Sequence, residues 1–254
     1  MLADDWAVLV ISLPDDAGRR ATLLPALARL GLKAQLIEAV DGRHGLPAWA
    51  ESEVDRAAAT IRVGRPLADA ELACTLSHRR AWQHVVDTGL SGALVFEDDA
   101  IPTDRLGALL AAEGHLAGDL VQFDHMDARV WRPGFRLAPE RTFGTGLRLV
   151  PVAANASLAS GYAVSARGAA HLVAGASPVA GLADWPCDTT ALGALIAVPP
   201  VIARPPVDPA QSRLEGARRA LVDNHAPVGP RWRRRLRADY WRRWWFKRRT
   251  RKVS

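Results

Sequence analysis

Short apolar runs alternate with stretches of helical periodicity along the first two thirds of the chain. Residues 6–13 form a nearly continuous run rich in Val and Ile, which is typical of a strand buried on both faces. Leucines then recur at helical spacing between residues 23 and 30, and Gly31 follows as a C-cap, which predicts a helix. Strand followed by helix indicates an α/β unit.

The same reasoning predicts further elements in alternating order. Strands are expected at 34–40, 93–96, 120–123, 147–152 and 161–164, and helices at about 47–60, 69–88, 166–174 and shortly after Asp188. Residues 125–146, rich in Arg, Gly and Pro, are expected to form a long irregular loop beside a site. The alternation favours one doubly wound α/β domain.

Composition divides the chain into a body, a linker and a tail. We expect an α/β domain over 1–204, a proline-marked linker with a short helix over 205–230, and a basic aromatic tail over 231–254. The longest apolar stretch, 191–203, is interrupted by two prolines and falls short of the roughly 20 residues that span a bilayer. The sequence therefore predicts no transmembrane helix.

The net charge of +6 is unevenly distributed. Residues 231–252 carry twelve Arg or Lys and one acid, a net +11, which leaves −5 for the remainder. The same segment contains four Trp residues, one Tyr and one Phe. Aromatic rings among cations suit an anionic bilayer surface, where rings lie at headgroup depth. Nucleic-acid binding and a disordered basic tail are the alternatives.

Three consecutive acids, Glu97, Asp98 and Asp99, follow the strand expected at 93–96. Ligands of open α/β sheets bind outside the carboxyl ends of the strands, which is where these acids would lie. Adjacent carboxylates repel one another, and a hard cation such as Mg²⁺ or Mn²⁺ relieves that repulsion. Such a cation stabilises a leaving diphosphate as a Lewis acid. A solvated loop, with Asp98 or Asp99 capping the next helix, is the alternative.

Several ordered segments resemble the family 25 glycosyltransferases, which include bacterial enzymes that extend lipopolysaccharide and lipooligosaccharide. The resemblance covers roughly residues 6–195 and rests on 8–20, 38–42, 71–82 with Cys74, Ser77 and His78, 94–99, and 160–169 followed by Asp188. It implies a GT-A-like fold, in which helices flank a Rossmann-like mixed sheet. It also implies a UDP-hexose donor, often UDP-galactose, and a metal held by an acid-x-acid motif.

The resemblance assigns roles to the acids. Glu97 and Asp99 would bracket Mn²⁺ or Mg²⁺ and the donor, with Asp99 as the more direct ligand. Asp98 belongs to the same donor-binding group, although its side chain is expected to point elsewhere. Ser77 and His78 would line the donor site with Glu71 nearby, while a core histidine opposite Trp82 is the alternative for His78.

Three further residues have two interpretations each. Arg20 suits a donor phosphate, or is an ordinary exposed arginine in a first helical turn. Asp41 contacts the ribose or base, or makes a turn with Gly42. An inverting transfer needs a general base, for which Asp188 is the candidate, followed by Asp184 and Asp124. A helix N-cap is the alternative for Asp188.

Departures from the family pattern are small-for-small exchanges. Ala70 and Ala73 stand where the family usually has glycine, and Ser12 replaces an asparagine often found after the first strand. These exchanges bear on the choice of donor more than on the fold.

Together these features predict a metal-dependent transferase that moves a hexose from a UDP-sugar to a lipid-linked saccharide acceptor. Its expected location is the cytoplasmic face of the plasma membrane, because Cys74 and Cys187 suit a reducing compartment and the acidic N-terminus does not resemble a signal peptide. The alternative is a non-catalytic α/β fold whose tail binds membrane or nucleic acid. A phosphoryl-transfer enzyme is disfavoured, because the sequence has neither a Gly-rich phosphate loop nor an aspartyl-nucleophile motif.

Overall fold

The computed structural model describes Leu2 and residues 5–135, 138–143, 146–203 and 238–253, with side chains in the last segment described from residue 241. The strands are β1 Trp6–Ser12, β2 Ala34–Glu38, β3 Gly92–Glu97, β4 Ile101–Pro102, β5 Leu120–Gln122, β6 Arg129–Trp131, β7 Arg141–Thr142, β8 Arg148–Pro151, β9 Gly161–Ser165, β10 Leu195–Val198, β11 Ile202–Ala203 and β12 Thr250–Lys252. The α-helices are α1 Ala17–Arg29, α2 Ala48–Glu51, α3 Arg56–Val63, α4 Asp69–Asp87, α5 Asp104–Ala111, α6 Ala166–Gly175 and α7 Ala238–Arg249.

Eight strands form one mixed sheet in the order β2-β1-β3-β9-β5-β10-β8-β7. Strands β2, β1 and β3 are parallel neighbours, and β5 is parallel to β10. The remaining pairs are antiparallel, including those of β9 with both β3 and β5. Helices flank the sheet, so the predicted GT-A-like, Rossmann-like mixed α/β fold is confirmed.

Alternating side chains of β1 pack into two separate hydrophobic cores. Val8 and Val10 belong to the core that includes leucines of α1 and α5, whereas Leu9 and Ile11 belong to the core that includes residues of α4. Successive strand residues point to opposite faces of a sheet, so one apolar run serves both layers. Full burial of each such side chain stabilises the fold by about 1.5–3 kcal/mol. A polar substitution at Leu9, which is completely buried, would disrupt the centre of the sheet.

Most predicted elements lie within one or two residues of their expected bounds. The differences are one divided helix, a sheet that is not parallel throughout, and two elements that the sequence pattern does not predict, α5 and β10. The helix expected at 47–60 is divided into α2 and α3, because Asp55 accepts a hydrogen bond from the Ala58 amide (2.8 Å) and begins a new helix. The parallel alternation fails at β9, since the described residues between β5 and β9 include no α-helix to carry a parallel crossover. The apolar stretch 191–203 contains β10, which the sequence pattern does not predict as a strand.

The segment 125–146 is more ordered than expected. It contains β6, a short helical turn at Pro133–Phe135 and β7. Strand β6 pairs antiparallel with β12, more than 100 residues later in the chain. A partner at that separation leaves no local signal, which is why the strand was missed.

The C-terminal tail combines a helix with a strand that returns to the body. Helix α7 confirms the predicted helical character over 238–249, and β12 follows it directly. Val253 is buried, and its amide donates to the Ala128 carbonyl oxygen (2.9 Å). The predicted linker 205–230 and the first part of the tail, 231–237, lie outside the described residues. Within the described part of the chain, no helix is both long and apolar enough to cross a bilayer.

Candidate functional site

The acid triplet Glu97–Asp99 lies at the carboxyl end of β3, between β1 and β9. The Glu97 amide donates to the Ser160 carbonyl oxygen (2.9 Å), and the Ala100 amide donates to the Glu97 carbonyl oxygen (3.1 Å). These bonds fix the end of the strand and the turn after it. The triplet therefore occupies the sheet edge where α/β proteins bind ligands, as the sequence predicts.

Arg19, from the first turn of α1, binds two of the three acids. Its Nε donates to Asp98 Oδ1 and its Nη2 to Asp99 Oδ2, both at 2.7 Å. Ser12 Oγ donates to the second oxygen of Asp98 (2.7 Å). Asp98 is thereby buried and held by β1 and α1, whereas Asp99 keeps 29% of its side chain exposed.

The Asp99 carboxyl lies in an environment that disfavours its ionised form. Burial, followed by the nearby charge of Glu97, raises the pKa of Asp99 above its ordinary value, against the opposing effect of Arg19. One guanidinium beside three carboxylates leaves a net charge of −2 if all three are ionised. A divalent cation would offset this charge.

Glu97 meets a different set of partners, a buried chain of aromatic side chains. Trp82 Nε1 lies 2.7 Å from the Tyr162 hydroxyl, which lies 2.9 Å from His78 Nδ1. His78 Nε2 lies 3.2 Å from Glu97 Oε1. Trp82, Tyr162 and His78 are completely buried, so this hydrogen-bonded chain runs through the core and ends at the acid triplet.

Chemistry assigns a direction to this chain. The Trp82 indole has only a hydrogen to give, so it donates to the Tyr162 oxygen. Burial raises the pKa of Tyr162 well above its ordinary value, so the hydroxyl keeps its own hydrogen and donates it to His78 Nδ1. In the tautomer that accepts this hydrogen on Nδ1, the imidazole carries its proton on Nε2 and donates it to Glu97. The chain holds the Glu97 carboxylate by a donor whose tautomer is set from within the core.

Two sets of side chains at this edge can hold a metal. The oxygens of Glu97 and Asp99 are the hard ligands that Mg²⁺ and Mn²⁺ prefer, and the net charge around them fits a divalent ion. Cys74, His78 and Glu97 also bring one ligand atom each within 4.8 Å of one another. A thiolate with an imidazole suits Zn²⁺ rather than Mg²⁺. Glu97 is common to both sets.

A cleft of about 350 Å³ opens at the carboxyl ends of β1 and β2. Arg80 stacks over the Trp49 ring at 4.7 Å and donates to the Glu38 carbonyl oxygen (3.0 Å), which makes a planar aromatic wall. The lining residues are Leu13, Pro14, Asp15, Glu38, Ala39, Val40, Asp41, Arg43, Pro47, Trp49 and Arg80. Ser12 bonds to Asp98 while its neighbour Leu13 lines the cleft, so cleft and triplet share the end of β1.

Asp41 lies on the cleft wall in an ion-pair network. Arg43 donates to both Asp41 oxygens and also to Asp15, at distances from 2.6 to 3.2 Å. The hydrogen bonds from Arg43 lower the pKa of Asp41 to about 2. Next to it, Gly42 packs so closely on α4 that an added Cβ would lie 2.6 Å from the Asp69 carbonyl oxygen. The Arg43 amide also donates to Asp41 Oδ1 (2.9 Å), the contact of an Asx turn, which supports the turn interpretation, while Asp41 still lines the cleft.

Two other predicted donor residues support the walls of the cleft. Arg20 donates to Ser12 Oγ (2.8 Å) and to the Leu13 carbonyl oxygen (2.6 Å), so it supports the turn after β1. Ser77 Oγ donates to the Ala73 carbonyl oxygen (2.7 Å) and accepts from the Val40 amide (2.8 Å). These side chains hold the cleft walls together, and direct donor contact by Arg20 or Ser77 stays a prediction.

Glu71 is almost completely buried at the start of α4. Both its oxygens accept hydrogen bonds from Arg65, at 2.7 and 2.8 Å, and one also accepts from the Ala68 amide (3.0 Å). A buried carboxylate with such partners stabilises a helix N-terminus. Its predicted position near the donor is therefore accompanied by a capping role, and donor contact stays a prediction.

The candidate bases occupy different surroundings. Asp188 is exposed and accepts hydrogen bonds from the Thr190 amide (2.9 Å) and the Thr190 hydroxyl (2.7 Å), as an N-cap does. Asp124 is buried and accepts from Ser160 Oγ (3.2 Å), while the Ser160 carbonyl oxygen accepts from the Glu97 amide. Asp184 is partly buried. The structure links Asp124 to the triplet through one residue, and the catalytic role of Asp188 stays a prediction.

Sequence reasoning missed Arg19 and Trp185. Arg19 and Arg20 are consecutive in a helical turn, and nothing in their types tells which one faces the acids. Trp185 has a positive φ of 81° and packs edge-on against Tyr162, with ring centroids 5.1 Å apart. A bulky residue in that backbone region costs about 1–3 kcal/mol and such strain concentrates at functional sites. The sequence does not indicate that Trp185 adopts this backbone conformation.

The mixed sheet, with the acid triplet at the carboxyl end of β3, is that of a GT-A-like α/β domain. The model of glycosyltransferase family 25, described as an LPS biosynthesis protein family, matches residues 6–190. The chain belongs to this family.

Curated relatives match a smaller part of the chain. Procollagen galactosyltransferase 1 of Danio rerio is 37% identical over 101 residues, which cover 36% of this chain and 16% of that protein. The probable inactive glycosyltransferase 25 family member 3 of Rattus norvegicus is 35% identical over 104 residues, covering 36% and 17%. Procollagen galactosyltransferase 2 of Mus musculus is 33% identical over 96 residues, covering 36% and 15%. The matches therefore span about a sixth of these relatives.

Proposed function

We propose that this protein transfers a hexose, with galactose as the first candidate, from a UDP-sugar to a saccharide acceptor. The observation that carries the proposal is that cleft and triplet are both built at the end of β1, where Ser12 bonds to Asp98 and its neighbour Leu13 lines the cleft. A volume of about 350 Å³ is within the range of small-ligand sites. A nucleoside in the cleft would direct its diphosphate toward the triplet.

The donor would be held by groups of opposite character. The wall formed by Trp49 and Arg80 offers a flat surface for a base, and Asp41 offers carboxylate oxygens to ribose hydroxyls. Arg43 pairs with Asp41 and lowers its pKa, so Asp41 is ionised. A ribose hydroxyl would then donate its hydrogen to a carboxylate rather than to a carboxylic acid. These contacts would orient the base and ribose of the donor without taking part in the transfer reaction.

Asp99 and Glu97 would hold Mn²⁺ or Mg²⁺, which supplies Lewis-acid stabilisation of negative charge on a departing diphosphate. The residues of this chain prepare that position. Arg19 orients Asp99, and His78 orients Glu97 through its Nε2 proton. A general base must also deprotonate the acceptor hydroxyl in an inverting transfer, and Asp188 is proposed for it with Asp124 as the alternative.

The proposed acceptor is a lipid-linked saccharide of a lipopolysaccharide or another cell-surface glycan, reached at the cytoplasmic face of the plasma membrane. Support comes from the description of the matching family and from the basic aromatic tail. The second candidate is a non-catalytic member of the family, which is favoured by the curated relatives named as inactive. Its surface, rather than its cleft, would then carry the function.

Donor binding and hydrolysis distinguish the two candidates. Calorimetry with UDP-galactose and UDP-glucose, with and without Mn²⁺, is expected to show metal-dependent binding and slow hydrolysis. Asp99→Asn should lose hydrolysis while staying folded, and Asp104→Asn, which changes an exposed acid at the start of α5, should retain it. Absence of nucleotide-sugar binding by the folded wild type would overturn the transferase proposal. Cys74→Ser would test the thiolate set, since it should abolish Zn²⁺ binding but leave Mn²⁺ dependence.

A further inference from the structure

A second cleft, of about 470 Å³, lies on the C-terminal segment. Its lining consists of four aromatic rings and two guanidinium groups, from Trp131, Trp241, Arg242, Trp245, Phe246 and Arg249. Five of these residues belong to α7 and one to β6. We call these six residues the α7 face.

The α7 face is fixed to the body of the protein. Strand β12 pairs with β6, Arg129 Nε donates to Thr250 Oγ1 (2.9 Å), and Thr250 is completely buried. The Arg132 amide donates to the Arg249 carbonyl oxygen (2.8 Å). The rings of Trp131 and Phe246 meet edge-on, with centroids 5.9 Å apart. The helix therefore presents its rings from a platform whose position is set by the body.

Two large apolar side chains of α7 are exposed to solvent. Trp241 and Trp245 are 52% and 53% exposed, and Trp244 packs edge-on against both, at centroid distances of 5.8 and 5.2 Å. Two half-exposed indoles that share a neighbour form one continuous apolar surface. A contiguous exposed surface of this kind is typical of an interaction site.

Cations surround the rings. Residues 241–253 contain seven basic residues and no acid, namely Arg242, Arg243, Lys247, Arg248, Arg249, Arg251 and Lys252. Lys252 pairs with Asp127 on the body. Arg248 lies over the Trp244 ring at 4.6 Å, and Arg249 over the Trp245 ring at 5.3 Å, so aromatic and cationic groups are interleaved. The partner of this surface must be both anionic and apolar.

The polar groups select among possible partners. A saccharide needs hydrogen-bond acceptors as well as donors, but the side chains of the α7 face include no carboxylate or amide. A nucleic acid needs rings that stand apart as stacking platforms, whereas Trp241, Trp244 and Trp245 pack against one another. Phosphate oxygens suit the guanidinium donors, and acyl chains suit the indoles.

We propose that the α7 face docks on an anionic phospholipid bilayer, with Trp241 and Trp245 at headgroup depth and Arg242 and Arg249 on lipid phosphates. Because the residues outside 231–252 carry a net −5, the same electrostatics repel the rest of the protein from the bilayer and orient it. This docking depends on neither the donor nor the metal. It is therefore testable even if the proposed transfer reaction is wrong.

Co-sedimentation of the full chain with vesicles tests the proposal. Vesicles of phosphatidylcholine with a quarter phosphatidylglycerol should bind the protein, and pure phosphatidylcholine vesicles should bind it far less. Trp241→Ala with Trp245→Ala should reduce binding about tenfold or more, because the exposed indoles supply the apolar contact. Trp49→Ala removes an indole of similar exposure, 47%, outside the α7 face and should leave binding unchanged.

Charge variants complete the test. Arg242→Gln with Arg249→Gln should weaken binding about fivefold for each cation removed, whereas Arg29→Gln with Arg105→Gln, on the exposed surface of the body, should have no effect. If the Trp double variant keeps full vesicle binding, the proposal is wrong, because the cations of 231–237 would then be enough to bind the vesicles without the α7 face. Tighter binding to single-stranded RNA than to the vesicles, or complete displacement by millimolar inorganic phosphate, would also overturn it. Unchanged melting temperatures of the variants establish that the fold is intact.

Discussion

Glu97 and Asp98 are consecutive residues, yet their side chains meet opposite layers of the protein. Glu97 meets His78, on α4, and through it the buried Tyr162 and Trp82. Asp98, with Asp99, meets Arg19 on α1. Neighbouring side chains at a strand end point to opposite faces of the sheet, which separates Glu97 from Asp98, and the turn after β3 brings Asp99 to the same cation as Asp98. One support is a chain of buried side chains in the core, and the other is a half-buried cation at the surface.

The comparison shows why the triplet cannot be treated as three equivalent acids. The His78 donor is held by side chains that are shielded from solvent, so its support for Glu97 is insensitive to salt. The Arg19 side chain is 36% exposed, so its ion pairs with Asp98 and Asp99 are weakened by solvent and by added salt. Metal binding should therefore respond to ionic strength through Asp99 more than through Glu97.

The largest effect is expected from Asp99→Asn, which removes a proposed metal ligand on the Arg19 side. We expect metal-dependent donor hydrolysis to fall at least about 100-fold, as it does when a group that stabilises transition-state charge is lost. Initial rates across a Mn²⁺ titration measure this effect. A rate that recovers at high Mn²⁺ would indicate that Asp99 acts only in affinity.

The same variant should have the opposite effect on folding. Burial and the charge of Glu97 raise the pKa of Asp99 above 3.8, so ionised Asp99 destabilises the folded state. At about one pH unit below 3.8, Asp99 is protonated in both states and the variant should match the wild type; the wild type then loses stability relative to the variant as the pH rises through the elevated pKa. Urea unfolding at about pH 3 and about pH 7 measures the difference. Lower stability of Asp99→Asn at pH 7 would contradict the prediction.

Tyr162→Phe interrupts the buried hydrogen-bonded chain that supports Glu97, and it is expected to have the next largest effect. It leaves Trp82 Nε1 and His78 Nδ1 without their hydroxyl partner, at about 1–3 kcal/mol for each buried group left unsatisfied. Urea unfolding measures the loss, and nitrogen NMR of the imidazole should show a loss of the Nε2-protonated preference of His78. An unchanged tautomer would mean that Tyr162 does not set the direction of the chain.

Arg19→Ala breaks the cationic support and should destabilise the fold by about 1 kcal/mol, a value reduced by the partial exposure of the guanidinium. Two carboxylates would then lack their shared cation, so Mn²⁺ or high salt should restore part of the stability. Thermal unfolding with and without Mn²⁺ measures this recovery. Arg29→Ala, at the exposed end of α1, serves as the matched control.

The smallest effect on stability is expected at Asp188, which belongs to neither support. The variant with this smallest effect is Asp188→Asn, because asparagine caps equally well, whereas Asp188→Ala should cost about 0.5–2 kcal/mol through the lost cap, which is comparable to Arg19→Ala. If Asp188 is the base, Asp188→Asn should lose transfer while keeping its stability. Full transfer by this variant would leave Asp124 as the candidate.

The sequence predicted those parts of the fold that leave a local pattern. Helix α4 and strands β1 and β3 have continuous periodicity, and the acid triplet follows directly from the end of β3. Long-range choices were not predictable. The antiparallel insertion of β9 and the pairing of β6 with β12 depend on partners far away in the chain. Choosing Arg19 over Arg20 required the orientation of one helical turn to within a residue.

The pairing of β12 with β6 also bears on self-association. Both ends of the segment 204–237 are attached to the same body, at β11 and at α7. A tether of this kind holds β12 near β6 at an effective concentration that its length sets, and for short tethers this reaches the millimolar range. At lower protein concentrations a molecule should therefore pair with its own last strand. A deletion in 204–237 that prevents the two ends from meeting would instead favour exchange of β12 between two copies, which gives a swapped dimer.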